Sequence, residues 1–452
     1  MADESLMDEL EAQASALSRF GFGEAVRPLF PLNFAAPVNG GEEAVCCRHH
    51  LNHASYGVAP LEVTAAARAQ ADAIEAWPDE WFRRTALPSW KEAAETVGRF
   101  LGAAPGALVF VDNATTAVNA VLGSLRLGPG DALLILDHTY RACANAARHT
   151  CERSGAELLT LDLPLPLPSD DALVGLLDSC LARHPRIRFV LLDHITSPTS
   201  IVLPVKDMAA VCRARGVLVM VDGAHAPGQL PLQLVDIGAD WYTGNLHKWV
   251  FAPKGVAILH TAAERQATTQ AAIVSHFYKL SYAERFFMQG TADHSRLMAS
   301  PAALRFVEER LGGWDNVRAH NSALCAAGAS LLVRAWRTRL LPVQDAAQAA
   351  PHMAVIEAPF GWRSFVQPPL PPDASEEEAA RALAADSGFN ERVSAAVLRG
   401  FGCQSQWFVW RVSGVPLLWV RISAQVYNTI GDYEALAVAG LELRRRVEQR
   451  AI

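Results

Sequence analysis

Between Leu108 and Leu259 six short apolar runs alternate with stretches of helical spacing, and few architectures accept that rhythm. The runs are Leu108-Val-Phe-Val111, Ala132-Leu-Leu-Ile-Leu136, Leu158-Leu-Thr-Leu161, Phe189-Val-Leu-Leu192, Val217-Leu-Val-Met-Val221 and Val256-Ala-Ile-Leu259. Such unbroken apolarity belongs to strands buried on both faces, the condition of a parallel sheet covered by helices. Segments such as Val205 to Arg215 place Ala, Val and Met at helical spacing and supply that cover. The pattern predicts an α/β fold, a mostly parallel sheet flanked by helices, in a large domain from residue 51 to 300.

Past Pro301 the texture changes to Ala- and Leu-rich helices, a strand at Val355–Ala358, an acidic helix entry from Asp373 to Glu378, a strand at Leu417–Ile422 and a last helix from about Asp432. This reads as a smaller α+β domain, residues 301–452. Prolines lack the N–H that an interior element needs, so Gln367–Pro372 reads as a surface loop and Leu163–Pro168 as a connector. Residues 1–50, with Pro31, Pro37 and Gly40-Gly41, read as an arm packed on the smaller domain or on a partner subunit.

Sheets of this kind place ligands at the carboxyl ends of their strands. One run ends in Asp222-Gly-Ala-His225, and Gly244-Asn-Leu-His-Lys-Trp249 follows at the next turn. A carboxylate that keeps a pyridine nitrogen protonated and an amine that holds an aldehyde as a Schiff base are the pair pyridoxal phosphate requires. Alone, Asp222 would cap a turn and Lys248 would be a solvated cation. Together, flanked by His225 and His247 in an apolar stretch, they mark an enzyme. Val109 to Asn119 runs from a strand into a helix and puts Thr115 and Thr116 at its start, as an anion site or as helix caps. In Asp137-His-Thr-Tyr140, Tyr140 or His138 could stack on a cofactor ring, with core packing preferred for His138. His194-Ile-Thr-Ser-Pro-Thr199 repeats the placement.

Other classes of function find less support. The net charge of -7 provides no basic stripe for nucleic acid, and Arg444-Arg-Arg446 reads as a solvated helix end. The eight cysteines show no repeated pair spacing and read as reduced thiols; Cys46-Cys47, without a second pair nearby, makes no metal site. The acidic amino terminus resembles neither a signal nor a transit peptide, and no apolar run reaches the roughly 18 to 20 residues of a membrane span. The expectation is a cytoplasmic enzyme with a small-molecule substrate and no membrane or nucleic-acid partner.

Asn113-Ala-Thr-Thr, His194-Ile-Thr-Ser-Pro-Thr, Asp222-Gly-Ala-His-Ala-Pro-Gly, Asn245-Leu-His-Lys-Trp, Gly290-Thr291 and Val420-Arg-Ile-Ser-Ala-Gln-Val-Tyr-Asn428 together resemble the class V aminotransferase family. The resemblance runs from Leu51-Asn-His-Ala-Ser-Tyr-Gly57 almost to the end and is strongest to the branch of isopenicillin N epimerase and plant-type L-cysteine desulfhydrase. It implies the fold type I architecture of pyridoxal phosphate enzymes. By that resemblance Lys248 forms the Schiff base and moves the α-proton, Asp222 pairs with the ring nitrogen, and His225 bonds the ring oxygen with Ser197 near it. Thr115, Thr116, Asn245 and His247 hold the phosphate. Thr291 reaches the neighbouring active site of a homodimer.

Arg421, among Trp419, Val420 and Ile422, is the expected clamp for a substrate carboxylate, which a planar guanidinium grips through two parallel hydrogen bonds. Tyr140 is the second catalytic candidate, His53 a substrate contact, and His276 a further proton-donor candidate. Cysteine desulfurases of the family carry a nucleophilic cysteine on a mobile loop, and no such motif precedes Arg421. Cys403, in Phe401-Gly-Cys-Gln-Ser-Gln406, reads as a small buried residue instead. Elimination or epimerisation therefore remains. The expectation is a carbon–sulfur lyase that releases a sulfur product, pyruvate and ammonia from cysteine or a cysteine conjugate. The alternatives are an epimerase of the isopenicillin N type and, from another class, a non-catalytic scaffold.

Overall fold

The computed structural model describes residue 17 and residues 19–32, 47–371 and 373–449. Its main sheet has seven strands: β1 Leu108–Val111, β2 Ala132–Leu136, β3 Glu157–Leu161, β4 Ile187–Asp193, β5 Leu218–Asp222, β6 Trp241–Asn245 and β7 Ala257–Thr261, in the order β1-β7-β6-β5-β4-β2-β3. Strand β7 runs antiparallel to β1 and β6, and the other pairings are parallel. The return from β6 to β7 uses only residues 246–256, too few for the crossover of a dozen or more residues that a parallel partner demands.

Two local expectations are corrected. Strand β3 is a sheet edge with Glu157 and Thr160 exposed, not a strand buried on both faces. Strand β6 carries no apolar run and was not anticipated, although all five of its residues are buried. Its polarity is consumed inside the sheet: the Thr243 hydroxyl donates to the Ile258 carbonyl at 2.7 Å. Gly244 is required there, because a Cβ would come within 2.5 Å of Pro227. The apolar centre is conventional; Leu133, Leu134, Val190 and Leu191 are fully buried, each contributing about 1.5–3 kcal/mol.

A second, antiparallel sheet follows: β8 Met353–Glu357, β9 Gln406–Val412 and β10 Val415–Ser423, in the order β9-β10-β8. Strand β9 was also not anticipated. The helices Trp314–Trp336, Phe389–Phe401 and Ile430–Glu448 enclose a second core that buries Trp336, Trp407 and Tyr433. The acidic entry becomes the helix Glu376–Ala385, opened by a capping box of Ser375 and Glu378.

The early chain is fastened to the late chain. Residues 23–29 form a short 3-10 helix from which Arg27 donates to the Tyr427 carbonyl at 3.0 Å and pairs with Asp432 at 3.2 Å. His49-His50 pairs in parallel with Cys403-Gln404. Residues 1–16, Pro37, Gly40, Gly41, Cys46 and Pro372 lie outside the described residues. Among the described residues no helix is long and apolar enough to cross a membrane.

Candidate active site

The carboxyl ends of the central strands open onto one cavity of about 340 Å³, lined by Lys248, Asp222, His225, Asn245, His247, Thr115, Tyr140 and Ser197 together with Ser55, Tyr56, Asp193 and Lys254. Lys248 sits on a single helical turn, Leu246–Trp249, directly after β6, with its Nζ 3.1 Å from His225 Nε2. Burial, reinforced by the Arg421 charge, lowers its pKa to about 7. A large share of the amine is therefore unprotonated, and nucleophilic, at neutral pH.

Asp222 ends β5. One carboxylate oxygen accepts the Ala224 N–H at 2.9 Å and the other accepts the Cys143 thiol at 3.3 Å. Burial raises its pKa, and the Ala224 N–H, the Cys143 thiol and Lys248 oppose that rise. Asp193 ends β4 in register with Asp222 and accepts the Thr139 hydroxyl at 3.0 Å. Burial first, and then the Asp222 charge, pushes its carboxyl well above the usual range. The sequence reading missed the roles of Cys143 and Asp193. The available signals were an Asp closing each of two neighbouring strands, and a Cys one helical turn past Tyr140.

At the other end of the cavity the helix Ala114–Ser124 begins. Its cap is Asn113, which accepts both the N–H of Thr116 at 2.9 Å and its hydroxyl at 3.2 Å. This corrects both readings of Thr116, whose hydroxyl is spent on the cap and which does not line the cavity. Asn245 Oδ1 accepts the Ala114 N–H at 3.0 Å and so ties β6 to the helix start. Thr115 faces the cavity between them. His247 donates from Nδ1 to the Val256 carbonyl at 2.9 Å, leaving Nε2 for the cavity, and burial with the neighbouring Lys248 lowers its pKa to about 4. Lys254, unforeseen, donates to the Gly57 carbonyl at 2.8 Å.

Arg421, on β10, stands behind Ser197 and Ser55. It donates to the Ser197 carbonyl at 2.6 Å, to Asn52 Oδ1 at 3.2 Å and to the Ser55 hydroxyl at 3.1 Å, and its Nε has no partner. Burial lowers its pKa to about 10, so it stays charged at neutral pH. Among the described residues no carboxylate pairs with it, a costly state for a buried charge and one that an incoming anion relieves.

The remaining candidates separate. His53 is wholly buried and does not line the cavity; its ring nitrogens face the Tyr427 hydroxyl at 2.8 Å and the Lys248 carbonyl at 2.7 Å, which corrects the expected substrate contact. His276 is exposed and lies outside the cavity. His138 is buried, 2.7 Å from Asp137 and 4.8 Å from the Trp410 ring centre, and is a core residue. Tyr140 stands at the cavity mouth, 47 % exposed, and burial raises its pKa, so the hydroxyl keeps its proton. Thr291 is exposed and takes no part in this chain's own cavity.

These residues fit pyridoxal phosphate. The floor offers a buried carboxylate to a ring nitrogen, Lys248 an amine, His225 a buried Nδ1 without a partner, and Thr115 with its helix terminus an anion seat. Residues 82–359 match the family Aminotransferase class-V. The chain is 30% identical over 409 residues to the probable chloroplastic L-cysteine desulfhydrase of Arabidopsis thaliana, covering 86% of this chain and 82% of that one. It is 34% identical to putative L-cysteine desulfhydrase 1 of Oryza sativa, a match that spans 63% of that protein and 64% of this chain. It is 33% identical over 287 residues to isopenicillin N epimerase of Streptomyces clavuligerus, covering 60% of this chain and 71% of that one. The fold matches an apo cysteine desulfurase of Thermococcus onnurineus with a TM-score of 0.66 at 15% identity, over 94% of this chain and 98% of that one. A half-buried Lys248 and a buried Asp222 on one cavity, within a chain matched to the family over most of its length, establish this protein as a member of the class V aminotransferases and a pyridoxal phosphate enzyme.

Proposed function

We propose that the enzyme is a carbon–sulfur lyase acting on cysteine or a cysteine conjugate. The observation that carries this is Arg421, a buried guanidinium without a carboxylate partner, held directly behind Ser197 and Ser55 of the wall of a cavity that, among the described residues, no cysteine lines. The first feature suits an amino-acid carboxylate. The second supports release of sulfur rather than its capture by a protein thiol. Cys403 is buried in the second core, and Cys143 lies under Asp222 with its thiol pushed well above the usual range, chiefly by burial.

Bound pyridoxal phosphate supplies the electron sink that lets the α-proton leave. In this reading Asp222 holds its ring nitrogen, His225 and Ser197 its ring oxygen, and Thr115, Asn245 and His247 its phosphate. Arg421 fixes the substrate carboxylate, so that the α-carbon presents its hydrogen to Lys248 Nζ, which takes it as general base. The bond from the β-carbon to sulfur then breaks, the sulfur leaving with the electron pair and accepting the Tyr140 proton. Water hydrolyses the released 2-aminoacrylate to pyruvate and ammonia. The proposal extends to a homodimer in which Thr291 reaches the neighbouring site. Exposed Ile273, Val274, Tyr278 and Leu280 close by in the chain support a covered face there. The described cysteines are all free thiols, which supports a reducing compartment such as the cytoplasm.

The match to isopenicillin N epimerase favours a second reading, in which the proton returns to the opposite face of the α-carbon. Holoenzyme given L-cysteine distinguishes them. Prompt sulfide and pyruvate, reduced about 10²-fold or more in Tyr140→Phe, support the lyase. Exchange of the α-hydrogen with solvent deuterium and loss of chirality, without sulfide, would support the epimerase.

A further inference from the structure

The turn that carries Lys248 is too short to satisfy its own carbonyls. Val250 N–H closes on Leu246, and among the described residues no backbone N–H donates to the carbonyl of Lys248. The donor comes from far away in sequence: His53 Nε2 lies 2.7 Å from that oxygen. A carbonyl only accepts, so Nε2 carries the proton and Nδ1 accepts from the Tyr427 hydroxyl at 2.8 Å. Trp249 and Tyr427 enclose the imidazole with ring centres 5.0 and 5.8 Å away; the Gln425 amide nitrogen, itself a donor because its oxygen accepts from Asn321 and Val426, lies 3.1 Å from Nε2 without bonding to it. Burial and the nearby His50 hold the ring well below its ordinary pKa, so it stays neutral.

The segment around His53 touches the site twice more. Asn52 and Ser55 accept hydrogen bonds from Arg421, and Gly57 packs against the His247 carbonyl. One short stretch of chain therefore grips both the backbone of the reactive amine and the expected carboxylate clamp.

We propose that His53 is a positioning residue for Lys248: by donating to the lysine's own carbonyl it fixes the single turn that aims the amine into the cavity. The inference rests on Lys248 being the reactive amine and is independent of which reaction follows. Without the donor, the buried carbonyl seeks water, the turn loosens and the amine gains hydration. Its pKa then climbs toward that of an ordinary lysine. Arg421, Asp222 and Cys143, whose charges act on the amine, and His225, 3.1 Å from it, make no hydrogen bond to His53.

The test uses protein stripped of cofactor, labelled briefly with acetic anhydride across a pH series, with Lys248 acetylation measured by mass spectrometry against exposed Lys206 and Lys279. In the unaltered protein Lys248 labelling should be half-maximal near pH 7. In His53→Leu the midpoint should rise by a unit or more, a loss of about fivefold or more in labelling at neutral pH. His53→Gln, whose amide can donate to the carbonyl, should restore it. A folded His53→Leu with an unmoved midpoint overturns the proposal, as does a His53→Gln that behaves like the leucine variant. If the leucine variant fails to fold, His53→Met, likewise without a donor, takes its place, and an unmoved midpoint in that folded variant overturns the idea. Failure of the lyase reaction would leave this labelling result unchanged.

Discussion

Asp193 and Asp222 close neighbouring parallel strands in register, so two carboxyls lie buried on one cavity floor with Thr139 bonded to the first and Cys143 to the second. Both have raised pKa values, Asp193 the further of the two, from burial and then from the charge of Asp222. A carboxyl whose folded pKa is raised binds its proton in the folded state while the unfolded chain has released it. Asp193 therefore lowers stability as pH rises above about 4, up to its raised folded pKa. Asp193→Asn should melt higher than the unaltered protein at pH 7, and the gain should vanish near pH 4. Melting curves of the cofactor-free protein at those two values check this; an equal gap at both refutes it.

Lys248 carries the converse cost. Its folded pKa of about 7 lies below that of an unfolded lysine, so between those values the unfolded chain binds a proton that the folded chain does not. Stability contributed at this position thus rises with pH from about 7 to about 10. Lys248→Met in the cofactor-free protein should be stabilised at pH 7 by a few kcal/mol, with the difference closing near pH 10. Denaturant titrations at the two pH values measure it. The same variant should bind no pyridoxal phosphate covalently and show no turnover.

Arg421 offers its planar fork to the substrate, and a lysine cannot reproduce two parallel hydrogen bonds. Arg421→Lys should raise KM for L-cysteine by roughly 10²-fold, the equivalent of about 2–3 kcal/mol. Cysteamine, which lacks the carboxylate, should bind both enzymes alike. A KM for cysteine that changes less than threefold would remove Arg421 from the substrate site.

Gly57 has a φ of +67°, and a Cβ there would stand 1.8 Å from the His247 carbonyl oxygen and 2.8 Å from Lys248 Cα. Gly57→Ala must displace the turn bearing the amine and should cost about 3 kcal/mol or more, with loss of cofactor binding. Gly106→Ala is the control. Its φ of +72° is similarly strained but no atom lies within 4 Å, so it should cost about 1 kcal/mol and leave the cofactor in place. Thermal melts and cofactor titrations of the pair separate crowding from backbone strain.

The main sheet was legible because buried strands must be apolar throughout, and all six runs mark strands, β1, β2, β3, β4, β5 and β7, within a residue or two. Strand β6 escaped because Thr243, Gly244 and Asn245 serve the interior and the cavity in place of an apolar run. The reversed direction of β7 is a property of the short connection, which apolarity does not record. Lys248 and Asp222 could be paired because their chemistry is jointly rare, and the motifs around them carried the family. Direction is what one dimension conceals. His53 sits beside Asn52 and Ser55, which reach Arg421, yet its own ring turns the other way, toward the Lys248 backbone. Cys143 reads as one more reduced thiol, and the pairing of Asp193 with Asp222 is set by strand register, which the fold alone supplies.

The joining of Arg27 to Asp432 and of His49-His50 to Cys403-Gln404 has a consequence for biosynthesis. At about 5–20 residues per second, the first of these segments leaves the ribosome on the order of 20 seconds or more before its partner exists. During that interval its apolar side chains, Val26 and Phe30 among them, have no finished surface to rest on. A nascent chain of this protein is therefore a natural client for holdase chaperones until residue 432 has emerged.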